Sequence, residues 1–153
     1  MAAALLAVAL LAAACGTDTD QEMPVITAEG VPAQPSECDA YAAGDTIHFC
    51  YRFTDNVELG RYNIEVHGNH DHHTHSSAAS DCPPDDDDEH EAVDPWVFNQ
   101  DYDIPAGTRD YTARQDIVVP HGKDPGDYHF MVRLTDRAGW QQLHSIAIKL
   151  VAE

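Results

Sequence analysis

Nine consecutive residues, His67-Gly68-Asn69-His70-Asp71-His72-His73-Thr74-His75, carry five of the chain's ten histidines and one carboxylate. Neutral imidazole is the commonest protein ligand for zinc, copper and nickel. A hydrophobic core has no use for so many polar rings in a row, so the density points to metal chemistry. Spacing adds to the argument. In an extended chain side chains alternate between faces, which sends His67, Asn69, Asp71, His73 and His75 one way and His70, His72 and Thr74 the other. His73-Thr74-His75 is thus a His-x-His pair of the kind a strand presents to one ion. The contrasting reading is a solvated His-rich loop that picks up metal adventitiously.

Positioning such residues is the task of strands. Apolar residues recur at a period of two: Ile47, Phe49, Tyr51 and Phe53; Tyr62, Ile64 and Val66; Tyr128, Phe130, Val132 and Leu134. That alternation predicts strands at 45–54, 60–67 and 127–135, with further candidates at 23–28, 96–102, 110–119 and 140–151. Turn residues fall between them, at Asp55-Asn56, Pro105-Ala106-Gly107, Pro120-His121-Gly122, Asp124-Pro125-Gly126 and Asp136 to Gly139. About seven short strands at this spacing predict an all-β fold, an antiparallel two-sheet sandwich. Asp124-Pro125-Gly126-Asp127-Tyr128-His129-Phe130 resembles the run that opens strand F of immunoglobulin-like domains, with Tyr128 as the corner tyrosine and Phe130 where antibody domains have cysteine.

This analogy makes 60–67 strand C and 127–135 strand F, antiparallel neighbours in one sheet. The end of C then lies beside the start of F, so His67 is expected close to His129, both on the face opposite Val66, Tyr128 and Phe130. The histidine cluster leaves the sheet at this point. His67, Asp71, His73, His75 and His129 are the expected metal ligands, giving imidazoles plus carboxylate or water as in an open zinc site. His70 and His72 are ligands of a second ion or solvated neighbours. The insertion at about 68–94 is long for a compact domain. It holds the cluster, Cys82 and the run Asp85 to Glu89, which lacks the spaced pattern of a calcium loop. Asp55 and Asp136 are read as turn residues, Trp96 and Trp140 as packing residues. His48, His90, His121 and His144 show no partner in sequence.

Known metal chemistries impose spacings that this sequence does not meet. No Cys follows Cys82 to complete a blue-copper site. His90-Glu91 lacks the second His of a zinc-protease motif, and His70-Asp71-His72-His73 does not follow the His-x-His-x-Asp-His order of metallo-β-lactamases. No Gly-x-Ser-x-Gly elbow occurs. With no general base apart from the ligands, an enzyme is not expected.

The ends and the composition set the context. Met1 to Ala14 contain no charged or polar side chain and run into Cys15-Gly16, too short for a bilayer span of about 20 apolar residues. The segment resembles a bacterial lipoprotein signal. The expectation is a signal at 1–14, a lipidated Cys15 and flexible tether at 15–22, and one domain at 23–153, exported and anchored in the cell envelope. The formal charge of −19 repels nucleic acid and anionic membranes and concentrates cations. Export permits disulfides; Cys38, Cys50 and Cys82 remain, and Cys38–Cys82 is the favoured pair because both lie in irregular stretches. A thiolate metal ligand among the three is the alternative.

Taken together the chain resembles the bacterial lipoproteins grouped as domain of unknown function 4625. The resemblance rests on the lipoprotein-like start, Thr54-Asp55-Asn56, Val66 through His75, Trp96-Val97-Phe98-Asn99, Ile104-Pro105-Ala106-Gly107, and Gly126 through Phe130 with Asp136 through Trp140. It implies an immunoglobulin-like sandwich in the envelope and no particular activity. The expected function is binding of a divalent transition metal, zinc first and copper or nickel next, as buffer, scavenger or delivery module. The alternatives are an adhesion or surface-assembly module contacting a protein or glycan, and a superoxide-dismutase-like metalloenzyme.

Overall fold

The computed structural model describes residues 19–70, 82 and 92–152. These residues form eight strands and no helix: β1 (Val25–Thr27), β2 (Asp39–Tyr41), β3 (Thr46–Thr54), β4 (Leu59–Gly68), β5 (Phe98–Asp103), β6 (Asp110–Val118), β7 (Gly126–Asp136) and β8 (Gln141–Leu150). Accordingly, no helix among them is long and apolar enough to cross a membrane.

Two sheets result, one of three strands in the order β1-β3-β6 and one of five in the order β2-β8-β7-β4-β5. The alternating apolar residues explain why they stack. Ile47, Phe49 and Phe53 of β3 face Tyr62, Ile64 and Val66 of β4 and Tyr128, Phe130, Val132 and Leu134 of β7, all buried in one core. Phe49 stacks on Tyr51, Tyr62 and Phe130, so aromatic rings supply much of the apolar area removed from water.

The seven predicted strand segments all contain strands, with ends moved by a few residues. β2 was not anticipated: its three residues, Asp-Ala-Tyr, carry no apolar period, and they pair parallel to β8. Their pairing is fixed from outside, by the Cys38 N–H donating to the Ala147 carbonyl at 2.8 Å just before the strand begins. Among the trptophan expectations, Trp96 is buried as a packing residue, whereas Trp140 is 44% exposed. Trp140 sits at the tip of the β7–β8 hairpin, where its indole N–H donates to the Asp20 carbonyl.

Two details position the ends of β4. At its start the register with β7 shifts between Leu59 and Arg61. A Cβ on the intervening Gly60 would meet the backbone oxygens of Thr135 and Asp136 at 2.7 and 2.8 Å, so only glycine fits. At its far end the Tyr128 hydroxyl donates to the Asp124 carbonyl at 2.7 Å and accepts from Trp96 N–H at 3.1 Å. One buried ring thereby ties the start of β7 to the chain entering β5.

Candidate functional site

β4 and β7 run antiparallel with His67 directly opposite His129. The two rings lie 5.6 Å apart between centroids and are nearly perpendicular, at 89°. Side chains opposite one another in an antiparallel pair share a face, and here it is the face turned away from the core. Glu65 shares that face, two residues before His67, and its Oε1 approaches His67 Nδ1 at 3.1 Å. Asp127 and Met131 flank His129 along β7, while Ala147 and Ser145 of β8 stand opposite His129 and Met131. Lys149 Nζ lies 3.6 Å from Asp127 Oδ1.

His129 does not face solvent as a strand histidine on an outer face would. It is 2% exposed, and Met131, Ser145 and Ala147 are buried with it. The burial continues toward β2. The Ala147 N–H donates to Glu37 Oε2 at 3.0 Å, and Cys38 is disulfide-bonded to Cys82, itself buried, with 5.4 Å between Cα atoms. Burial pushes the Glu37 carboxyl above its usual range, with the Ala147 N–H pulling it partly back. Cys50 is the buried free thiol of β3.

The insertion that leaves β4 starts beside this pair. The Asn69 N–H donates to the Asp127 carbonyl at 2.8 Å, extending the β4–β7 contact by one residue, and Asn69 is buried. His70 then turns to the other face. Its ring meets Tyr128 edge-on at 5.4 Å and lies over Gly68, where a Cβ would come within 2.7 Å of it. His70 therefore packs over Gly68 and against Tyr128, on the core side of the sheet end. Asp71, His72, His73 and His75 lie outside the described residues, as do Cys15, His90 and the acidic run 85–89.

The remaining described histidines, His48, His121 and His144, lie on other strands and turns, and His121 packs over Gly44, where a Cβ would meet its Nε2 at 3.3 Å. His48 Nδ1 lies 2.7 Å from an Asp116 oxygen, exposed on the three-stranded sheet. His144 faces the core from β8, edge-on to Tyr51 at 5.4 Å, and its burial lowers its pKa. Sequence reasoning missed Glu65, although the Glu-x-His spacing on a strand was enough to put both side chains on one face. It also missed Asp127, whose place beside His129 follows from the same parity.

Fold and site together define a two-sheet all-β sandwich bearing a paired-histidine centre at one end of its larger sheet. By sequence, the family model described as Domain of unknown function (DUF4625) matches residues 12–151, and the chain belongs to that family. Among curated proteins none matches. Two solved structures are similar at low identity. The sporulation control protein Spo0M from Bacillus subtilis has 9% identity and a TM-score of 0.42 over 86% of this chain and 49% of that one. A cellulose-active polysaccharide monooxygenase from M. thermophila has 14% identity and a TM-score of 0.38 over 77% of this chain and 55% of that one. The chain thus spans about half the length of each.

Proposed function

We propose that this protein is a cell-envelope lipoprotein that binds a divalent transition metal, zinc first, at the end of β4 and β7, and serves as a metal buffer, scavenger or delivery module. The observation that carries the reading is the His67–His129 pair, two imidazoles from distant parts of the sequence held side by side where the His-rich insertion begins. Two imidazole nitrogens are borderline donors suited to Zn²⁺, Cu²⁺ or Ni²⁺, and three further candidate ligands, Asp71, His73 and His75, follow within the next few residues of chain. Glu65 beside His67 Nδ1 supports the same reading. Metal-binding histidines direct the ring nitrogen not used for the metal to a carboxylate or carbonyl, which leaves Nε2 for the ion. When bound, the ion supplies charge and a coordination site. Every other role belongs to the protein: Glu65 orients one ring, and the buried flank of Met131, Ser145 and Ala147 limits water around the other.

An immunoglobulin-like frame fits the topology. The β1-β3-β6 sheet stands for strands A, B and E, and the β5-β4-β7-β8 order stands for C′, C, F and G. The Tyr128 hydroxyl bonded four residues upstream has the form of a tyrosine corner. The lipid anchor at Cys15 and the export signal before it rest on the resemblance of residues 1–15 to lipoprotein starts.

The test is elemental analysis and zinc titration of protein purified without a histidine tag or nickel column. Stoichiometric metal in the native protein, lost in His129→Ala and His73→Ala, is the expected result. Native protein with a metal content near zero and no zinc affinity in titration would instead favour an adhesion module whose insertion contacts a protein or glycan.

A further inference from the structure

A cluster of three carboxylates stands at the opposite end of the sandwich from the histidine pair. We propose that Asp20, Asp55 and Asp136 form a calcium site that clamps the segment preceding β1 onto the β3–β4 and β7–β8 turns. One carboxylate oxygen from each of the three lies within 4.8 Å of one from each of the others. Oxygens bound to one Ca²⁺ at about 2.4 Å are at most about 4.8 Å apart, so the three reach a single ion.

What separates this cluster from ordinary turn aspartates is how each carboxylate is divided. Asp136 is only 4% exposed, and its Oδ1 accepts from the Gly139 and Trp140 N–H groups at 2.6 and 2.8 Å. The Oδ1 of Asp55 accepts from Val57 and Glu58 N–H at 2.8 and 2.6 Å. The second oxygens, Asp136 Oδ2 and Asp55 Oδ2, are buried with no hydrogen-bond partner. Turn capping consumes one oxygen of each residue and leaves the other desolvated and unsatisfied. A buried carboxylate oxygen without a donor is costly, and three negative groups in contact repel one another. A cation resolves both. The Asp20 Oδ1 accepts from Glu22 N–H at 3.1 Å, and the Asp20 carbonyl accepts from the Trp140 indole, so the segment before β1 is already tied to the β7–β8 turn.

The ligand set fixes the class of ion. All three donors are hard carboxylate oxygens, with neither imidazole nor thiolate, which favours Ca²⁺ over zinc or copper. The site is also separate from the histidine pair. Asp136 and His129 are seven residues apart on β7, roughly 23 Å at about 3.3 Å per residue. If Cys15 carries the lipid, which rests on the reading above, calcium would fix the domain against its anchor, because Asp20 follows Cys15 by five residues.

Titration of the full chain with CaCl2, followed by calorimetry and by thermal melting, tests the proposal. Wild-type protein should bind one Ca²⁺ with Kd in the roughly 10⁻⁴–10⁻³ M range of extracellular modules. Its Tm should rise by about 3–6 °C in millimolar calcium, and glutamyl-endopeptidase cleavage after Glu22 should slow. Asp20→Asn, on a segment outside the sheets, should fold normally and lose about tenfold or more in affinity, and Asp136→Asn should lose it as well. His129→Ala should leave calcium binding unchanged, so failure of the zinc reading and failure of this one are distinguishable. No heat and no Tm shift in the wild type, or wild-type affinity in both aspartate variants, would overturn it.

Discussion

At the scale of single residues, parity along a strand decides which side chains can act together. His67 and His129 share a face because each lies one position from an apolar residue of the core, and that much is legible in the alternation of β4 and β7 alone. The same rule puts Glu65 beside His67, at 3.1 Å. Glu65→Gln keeps the shape and removes the charge, so zinc affinity should fall by about tenfold, the low end for losing a carboxylate behind a metal-bound imidazole. A competition assay with a chromophoric chelator checks this, and unchanged affinity would remove Glu65 from the site. Acid should act more broadly. Imidazoles with a reference pKa near 6.5 must be neutral to coordinate, so affinity should weaken steadily from pH 7.5 to 5. The burial of His129 could not be read from the sequence, because the alternation assigns a face but not what covers it. Asp55 and Asp136 were legible as turn formers and no further, since the sequence does not reveal that each has an oxygen left over.

At the scale of elements, the histidine end of the sheet is held by contacts distant in sequence. Strands with a clean apolar period were legible. β2 was not, because its pairing depends on Cys38 and Ala147 rather than on any pattern of its own. The Cys38–Cys82 disulfide closes a loop of 44 residues, for which the chain-entropy treatment gives about 4 kcal/mol of stabilisation. Cys82→Ser should therefore lower the unfolding free energy by up to that amount in a urea titration. Because the bond ties the insertion to the flank of His129, zinc affinity should fall in parallel. Stability lost with zinc binding intact would show that the disulfide does not organise the centre. Tyr128→Phe probes the other anchor. It removes the bond to Asp124 and leaves the Trp96 N–H, buried beside it, without an acceptor, at a cost of about 1–3 kcal/mol.

At the scale of the whole molecule, a charge of −19 makes cations the natural partners of this fold, and the two candidate centres occupy opposite ends of the same strand pair, β4 and β7. Acid acts on the fold itself through His144, which the sequence left without a partner and which the structure buries against Tyr51. Burial disfavours its charged form, so its folded-state pKa lies below the unfolded value of about 6.5. Between those two values the unfolded chain binds more protons than the folded one, and stability falls as pH falls. Above 6.5 this contribution is fully present. Glu37 works in the opposite sense in a lower window: its raised pKa means that protonation just above 4.5 favours the folded state. In chelator-treated protein, which removes metal linkage from the comparison, Tm should therefore decline from pH 7 toward 5.5. His144→Phe, keeping a ring against Tyr51 without a titrating nitrogen, should flatten that decline. An equally steep slope in the variant would assign the acid sensitivity to other groups.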